Sequence, residues 1–167
     1  MTFRIRPAVM SDIGAIDQML QRSYPRLLKA DYPPSVLVTA LPLMTKAQPK
    51  LIMSCTYFVA EDDQGLLLGA GGWTADIPGR LRERQEGRAN IRHFVTDINA
   101  LRRGVAGALM DHCIETASVF GATWMHCMST RTAVPFYAAR GFETLGPIDV
   151  PMGPGVVFPA LEMRRDL

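Results

Sequence analysis

The sequence predicts one mixed-sheet α/β domain, and three observations carry that prediction. Thr2–Arg6 alternates, with Phe3 and Ile5 on one side and Arg4 and Arg6 on the other, as a half-buried strand does. Asp62-Asp63-Gln64-Gly65 separates two apolar runs and marks a hairpin. Within Ile91–Gly121 the apolar period changes at Gly104 from strand-like to helical. A chain of 167 residues is long enough to bury a core as one unit.

Taken in order, the first strand stops at Pro7. Ser11 or Asp12 can cap a helix whose apolar face is Ile13, Ile16, Leu20 and Tyr24, and Pro25 is expected to end it. After a loop to Pro34, Ser35 caps a second short helix through Leu41 that stops near Pro42. Residues 43–50 read as a connector with room for a helical turn. Thr56–Glu61 is the next strand, and Leu66–Thr74 returns from the hairpin. Gly69, Gly71 and Gly72 within that return mark a bulge or a close backbone approach.

Asp76–Asn90, in which Arg80, Arg82, Arg84 and Arg88 alternate with Glu83 and Glu86, reads as an exposed, mobile loop. Ile91–Thr96 is a short buried strand. From Gly104 a helix follows, with Val105, Leu109, Cys113 (or Ile114), Ala117 and Phe120 at helical spacing and Gly121 as its stop. Thr123–Met128 is a strand, and Ala133–Arg140 is a helix with Pro135 in its first turn and Gly141 after it. Glu143–Val150 and Val156–Arg164 close the chain as two strands around Pro151–Gly155. The resulting order is β-α-α-β-β-β-α-β-α-β-β.

With 48% hydrophobic and 20% charged residues and a formal charge of +2, the composition is that of a soluble globular protein. No block of consecutive Lys or Arg longer than a pair exists to suggest a nucleic-acid or membrane partner. The N-terminal stretch lacks a continuous apolar core, so no signal peptide and a cytoplasmic location are expected. Cys55, Cys113 and Cys127 sit in apolar surroundings and read as reduced core thiols. His112-Cys113 and His126-Cys127 look like ligand pairs. Neighbouring helix residues point about 100° apart and neighbouring strand residues to opposite faces, so the four cannot converge on one ion. No metal is predicted.

The chemistry concentrates at Arg102-Arg103-Gly104-Val105-Ala106-Gly107-Ala108. A helix start leaves backbone N–H groups unpaired and carries partial positive charge. Small residues let a ligand approach those groups, and two arginines add full charge. This composition suits a phosphate or pyrophosphate. It equally suits close helix–sheet packing beside a solvated arginine edge, and the residues alone leave both readings open.

Two segments together resemble the GNAT superfamily of N-acetyltransferases. The family's acyl-CoA pyrophosphate loop, Gln/Arg-x-x-Gly-x-Gly/Ala, reads here Leu101-Arg102-Arg103-Gly104-Val105-Ala106. AVPFYAARGFE (Ala133–Glu143) is similar to its penultimate helix and following Gly-Phe. The opening FRIRPAVMSDIGAIDQML and the hairpin YFVAEDDQGLLLGAGGW match its first and middle elements. Leu101 replaces the first Gln/Arg, and Ile98 stands where a proline is common. The resemblance implies a mixed, mostly antiparallel central sheet of about six to seven strands flanked by about four helices. It also implies acetyl-CoA as donor and direct attack by an amine of a small-molecule or peptide acceptor. A non-catalytic acyl-CoA-binding or regulatory module on the same fold is the alternative.

The resemblance assigns the pyrophosphate to Arg102, Arg103, Gly104, Val105, Ala106, Gly107 and Ala108, and adds Phe136 and Arg140 to the cofactor wall. Arg140 either reaches the nucleotide end or caps carbonyls of its own helix. Splaying between Ile91–Thr96 and Thr123–Met128 would bare main-chain groups for the pantetheine arm, with a backbone N–H near Val95 polarising the thioester carbonyl. Tyr137 is the candidate general acid for the departing thiolate; as a plain core aromatic it would only pack its helix. His93 and Asp97 are the candidate bases. By alternation His93 shares a face with Ile91 and Val95, placing it in the cleft or among satisfied core histidines. A water relay would make a base unnecessary. Trp73, Tyr24 and Tyr32 are expected on the acceptor wall, and apolar C-terminal strands leave room for a homodimer.

Overall fold

The computed structural model describes residues 2–167. Its elements run β1 (Phe3–Pro7), α1 (Ile13–Leu28), α2 (Pro34–Met44), α3 (Pro49–Ile52), β2 (Tyr57–Asp62), β3 (Leu67–Thr74) and β4 (Arg88–Thr96). Then follow α4 (Val105–Phe120), β5 (Trp124–Ser129), α5 (Val134–Ala139), β6 (Glu143–Gly153) and β7 (Val156–Asp166). One seven-stranded sheet has the order β1-β2-β3-β4-β5-β7-β6. All its pairings are antiparallel except β4 with β5.

Alternation along the strands divides the core between the two faces of the sheet. Val59 and Ala70 pack with Ile16, Leu20 and Leu37 of α1 and α2. Phe58, Ala60 and Leu68 pack with Val105, Leu109 and Cys113 of α4. The predicted α4 stripe is buried except for Phe120, which is 62% exposed and lies against the Trp73 ring, 5.2 Å between centroids.

Several boundaries differ from the sequence reading. α1 continues through Pro25 to Leu28 because Tyr24 and Leu28 are both buried, and that packing outweighs one lost helical hydrogen bond. α2 continues through Pro42 to Met44; Val38, whose carbonyl would be the lost acceptor, is exposed to water. β4 begins at Arg88, so the charged loop is shorter than expected. The rest of it is ordered by Arg80–Glu83 and Arg84–Asp76 ion pairs and by the Ile77 N–H donating to Glu83 O. Cys55 is exposed, whereas Cys113 and Cys127 are buried. Among the described residues no helix is long and apolar enough to cross a membrane.

At the outer edge of the sheet, Arg6 binds both oxygens of Asp12 (2.8 and 2.9 Å) and both of Glu61 (3.1 Å each). Asp12 also accepts from the Val9 N–H at 2.8 Å, which fixes the entry to α1. Hydrogen bonds from Arg6 hold the Asp12 carboxyl below its ordinary range, and Arg6 with Arg4 hold Glu61 at about 2. Unfolded carboxylates titrate near 4, so this contribution is complete above that pH and is lost as pH falls toward the folded values. The melting temperature should therefore fall progressively between about pH 5 and pH 2. Arg6→Gln should lower it at pH 7 and flatten that slope; a parallel, unflattened curve would exclude the network as the cause.

Candidate active site

β4 and β5 pair over only three positions, Arg88–Asn90 against Trp124–His126. β5 then follows β7 along its whole length while β4 stays with β3. A wedge opens between Ile91–Thr96 and Cys127–Ser129. Asn90 is fully buried at the fork, its amide donating to Thr74 O and Asp76 O (3.1 and 3.2 Å) while its oxygen accepts from Arg88 Nε at 2.7 Å.

Just past the fork, β4 carries one residue more than β3, since Gly72 faces Arg92 but Ala70 faces Val95. His93 takes a positive φ of 47° there. Both Arg92 and His93 consequently reach the α1–α3 side, toward Gln48 and Met44. Phe94 turns to the opposite face and lies on Gly71, where a Cβ would stand 2.4 Å from its ring. The expected grouping of Ile91, His93 and Val95 on one face is therefore incorrect: Ile91 packs on the α4 side and Val95 on the α1 side. Two buried phenols serve the bulge carbonyls, Tyr57 donating to His93 O at 2.9 Å and Tyr24 to Phe94 O at 2.8 Å.

The same ladder decides which amides face the wedge. The Asp97 N–H donates to Leu68 O at 2.9 Å, which makes Val95–Ala70 a mutually hydrogen-bonded pair two residues along. The Val95 N–H thus belongs to β3, and its neighbour Thr96 turns its N–H into the wedge. Asp97 does not reach the cleft: it is buried, bound by Arg22 Nε at 2.8 Å, and caps the Asn99 N–H at 2.8 Å.

Below the wedge lies the start of α4. Gly104 adopts φ +79°, and the first intrahelical bond runs from the Ala108 N–H to Gly104 O at 2.9 Å. The amides of Val105, Ala106 and Gly107 precede that bond and have no intrahelical acceptor. These residues line the cleft with Arg102 and Gly104, whereas Arg103 and Ala108 are not on its wall. Arg140 lies across Gly107, where a Cβ would meet its Nη2 at 1.9 Å, and pairs with Asp111 at 2.5 Å. It does not cap its own helix; Arg165 instead donates to Arg140 O at 2.6 Å.

On α5, Phe136 and Tyr137 both face the cleft. Tyr137 is buried edge-on between Phe136 and Phe142, with ring centroids 5.2 and 5.4 Å away. It shares one buried cluster with Cys127 of β5. Burial pushes the phenol well above its ordinary value and the Cys127 thiol up to about 12. Across the cleft, the His93 Nε2–H donates to Met44 O at 2.9 Å, leaving Nδ1 as a buried lone pair with no partner. Burial lowers the His93 pKa, so the ring is neutral at pH 7.

The cleft has a volume of about 1540 Å³. Tyr24 lines it, but Trp73 and Tyr32 do not. The Trp73 indole donates to Thr116 within the α4 core, and the Tyr32 hydroxyl donates to Pro159 O and accepts from the Arg131 N–H. Arg92, Met44, Gln48, Met152 and Phe158 line the cleft without having been singled out from the sequence. Alternation in the last hairpin carried a signal for Met152 and Phe158; nothing local marked the α2–α3 residues.

A forked sheet opening onto an uncapped helix start defines the acetyltransferase class of α/β domain. The chain belongs to the GNAT acetyltransferases: residues 53–144, more than half of it, match the acetyltransferase (GNAT) domain family. A GCN5-related N-acetyltransferase (aminotransferase, class-II) from Rhodopseudomonas palustris is 19% identical, with a TM-score of 0.79 over 100% of this chain and 97% of that one. PaiA N-acetyltransferase from Thermoplasma acidophilum, crystallised with coenzyme A, is 12% identical, with a TM-score of 0.75 over 100% of both chains. The ribosomal-protein-S18-alanine N-acetyltransferase of Escherichia coli is 15% identical, with a TM-score of 0.64 over 99% and 94%. No curated protein sequence matches significantly.

Removing the Tyr57 hydroxyl leaves His93 O buried without its donor. Tyr57→Phe should cost about 1–3 kcal/mol in urea unfolding, the usual penalty for an orphaned buried acceptor. A cost near zero would mean that water reaches the bulge.

Proposed function

We propose that this chain is an acetyl-CoA-dependent N-acetyltransferase that moves an acetyl group to a primary amine by direct attack on the thioester. The observation that carries this reading is the alignment of three features on one cleft: the α4 amides, the wedge, and Tyr137 beside it. The amides of Val105, Ala106 and Gly107 suit the diphosphate, with Arg102 and Arg140 as counter-charges. Phe136 offers an apolar surface beside them. When bound, acetyl-CoA supplies the activated acetyl group. The coenzyme A complex of the Thermoplasma neighbour supports the same donor here.

Each reacting position then has a group at hand. The Thr96 N–H, rather than that of Val95, is oriented to stabilise charge developing on the thioester oxygen. Tyr137 holds its proton throughout the physiological range and is the candidate donor to the leaving thiolate. His93 has the correct tautomer for a base, with Nδ1 open to accept, and becomes competent if the acceptor amine reaches it. An amine that arrives neutral needs no such step.

The test is thiol release from acetyl-CoA against a panel of amines, alongside calorimetry with CoA. Binding without release for any amine would favour the non-catalytic module. Tyr137→Phe should lower kcat by about 10²-fold or more while leaving CoA affinity nearly intact; an unchanged kcat at saturating amine removes Tyr137 as the acid. Gly107→Ala drives a methyl group into the Arg140 guanidinium. It should raise the CoA Kd about tenfold, the worth of one charge-assisted contact, and an unaltered Kd would detach Arg140 from the diphosphate.

A further inference from the structure

We propose that Arg92 anchors an anionic group on the acceptor, so that the amine acetylated here belongs to a small molecule bearing a carboxylate or phosphate. The inference rests on the acetyl-transfer reading and adds the acceptor's charge to it. Among the described residues no Asp or Glu lines the cleft, whereas five cations do. Arg102 and Arg140 stand at the α4 end, where the diphosphate belongs. Lys46, Lys50 and Arg92 stand at the other end, around Gln48 and the first half of β4. A diphosphate held at α4 leaves those three cations without a counter-charge.

Arg92 is the informative one. Of the other partly buried guanidiniums, Arg6 holds Asp12 and Glu61, Arg22 holds Asp97 and Arg140 holds Asp111, while Arg88 and Arg165 have neutral partners but lie off the cleft wall. Arg92 has only neutral oxygens, Thr74 Oγ1 at 3.2 Å and Gln48 Oε1 at 3.4 Å. Burial already disfavours its charged form. A desolvated guanidinium with no counter-ion is costly, and an incoming anion offsets that cost through paired N–H donors. Lys46 and Lys50 are exposed at the rim and add attraction for the same charge.

Position completes the case. The bulge turns Arg92 and His93 to the same side of the sheet, the side of α1–α3. Arg92 and Thr96 pair with Gly72 and Gly69 of β3, three residues or about 10 Å apart along that strand. An amine at the thioester and an anion at Arg92 therefore fit within one compact molecule. A polyamine would meet three cations and no acid on the wall; Asp17, whose charge reaches His93, lies off it and accepts from the Ala47 N–H at 2.6 Å.

The experiment measures thiol release from acetyl-CoA with matched pairs: amino acids against their carboxamides, and O-phosphoethanolamine against ethanolamine, with spermidine as the cationic control. The anionic member should have a kcat/KM about ten- to hundredfold higher, as one charge-assisted contact provides. The pair that shows the larger ratio tells carboxylate from phosphate. Arg92→Gln should erase the ratio through KM, and Arg92→Lys should retain part of it. An unchanged CoA Kd in both variants shows that they are folded. Equal or better turnover of neutral or cationic amines, or a ratio untouched by Arg92→Gln, overturns the anion anchor and leaves acetyl transfer standing. CoA binding with no thiol release from any amine overturns the transfer reading and this inference together.

Discussion

The structure depends on how β4 settles its main-chain hydrogen bonds after it parts from β5. A buried strand that loses a neighbour leaves one edge of N–H and C=O groups to satisfy, and an unpaired buried group is expensive. Here the carbonyls of His93 and Phe94 are taken by the hydroxyls of Tyr57 and Tyr24. Those tyrosines come from β2 and α1, elements distant in sequence, so the open state of the sheet is specified by side chains across the domain. Asn90 fixes where the fork begins by satisfying the exposed end of β3. What the tyrosines do not cover, chiefly the Thr96 N–H, remains available to a ligand. The cleft is a gap in the ladder held open from both sides.

Charge is distributed along that gap in two groups. At the α4 end the positive character comes from backbone amides, with Arg102 and Arg140 added. Gly107 permits this arrangement, since the Arg140 guanidinium occupies the space a side chain would need. At the far end, charge comes from lysine and arginine side chains of α2–α3 and β4. Between the two groups the wall is apolar or neutral, and His93 is kept uncharged by burial and by the neighbouring Arg92. A neutral middle flanked by cations suits a thioester and an uncharged amine better than it suits any protonated one.

The sequence announced the elements whose signals are local. Gly104 and Gly121 bracket α4 in left-handed conformations, and Gly65 sits at φ +81° in the predicted hairpin turn. The element order was legible for the same reason, apart from the single turn of α3. What escaped depended on partners far along the chain. Pro25 and Pro42 read as helix ends, yet buried neighbours carry both helices past them. Strict alternation put His93 with Ile91, and one inserted residue in β4 undid it. Gly71 hinted at that irregularity, but the glycine is on β3 and the extra residue lies opposite, so the hint named the wrong strand. Trp73 looked like pocket wall because nothing in the sequence reveals that Thr116 waits for its indole N–H.

The acid role proposed for Tyr137 turns on relative basicities rather than on the phenol alone. In water a phenol near 10 is a poor donor to a thiolate near 8.5, and proton transfer would run uphill. Burial raises the phenol further, which taken alone makes the donor worse. The same low-dielectric surroundings act on sulfur, however, and the Cys127 thiol beside Tyr137 gauges the effect, since it is pushed up to about 12. A thiolate formed in that space is a far stronger base than one in water, because it too has lost its hydration. Desolvation moves donor and acceptor in the same direction and restores much of the match that bulk values deny. Tyr137 and Cys127 share one buried cluster, so both groups sit in the same desolvated space. The matched basicities therefore have one physical origin, the dry contact between α5 and β5.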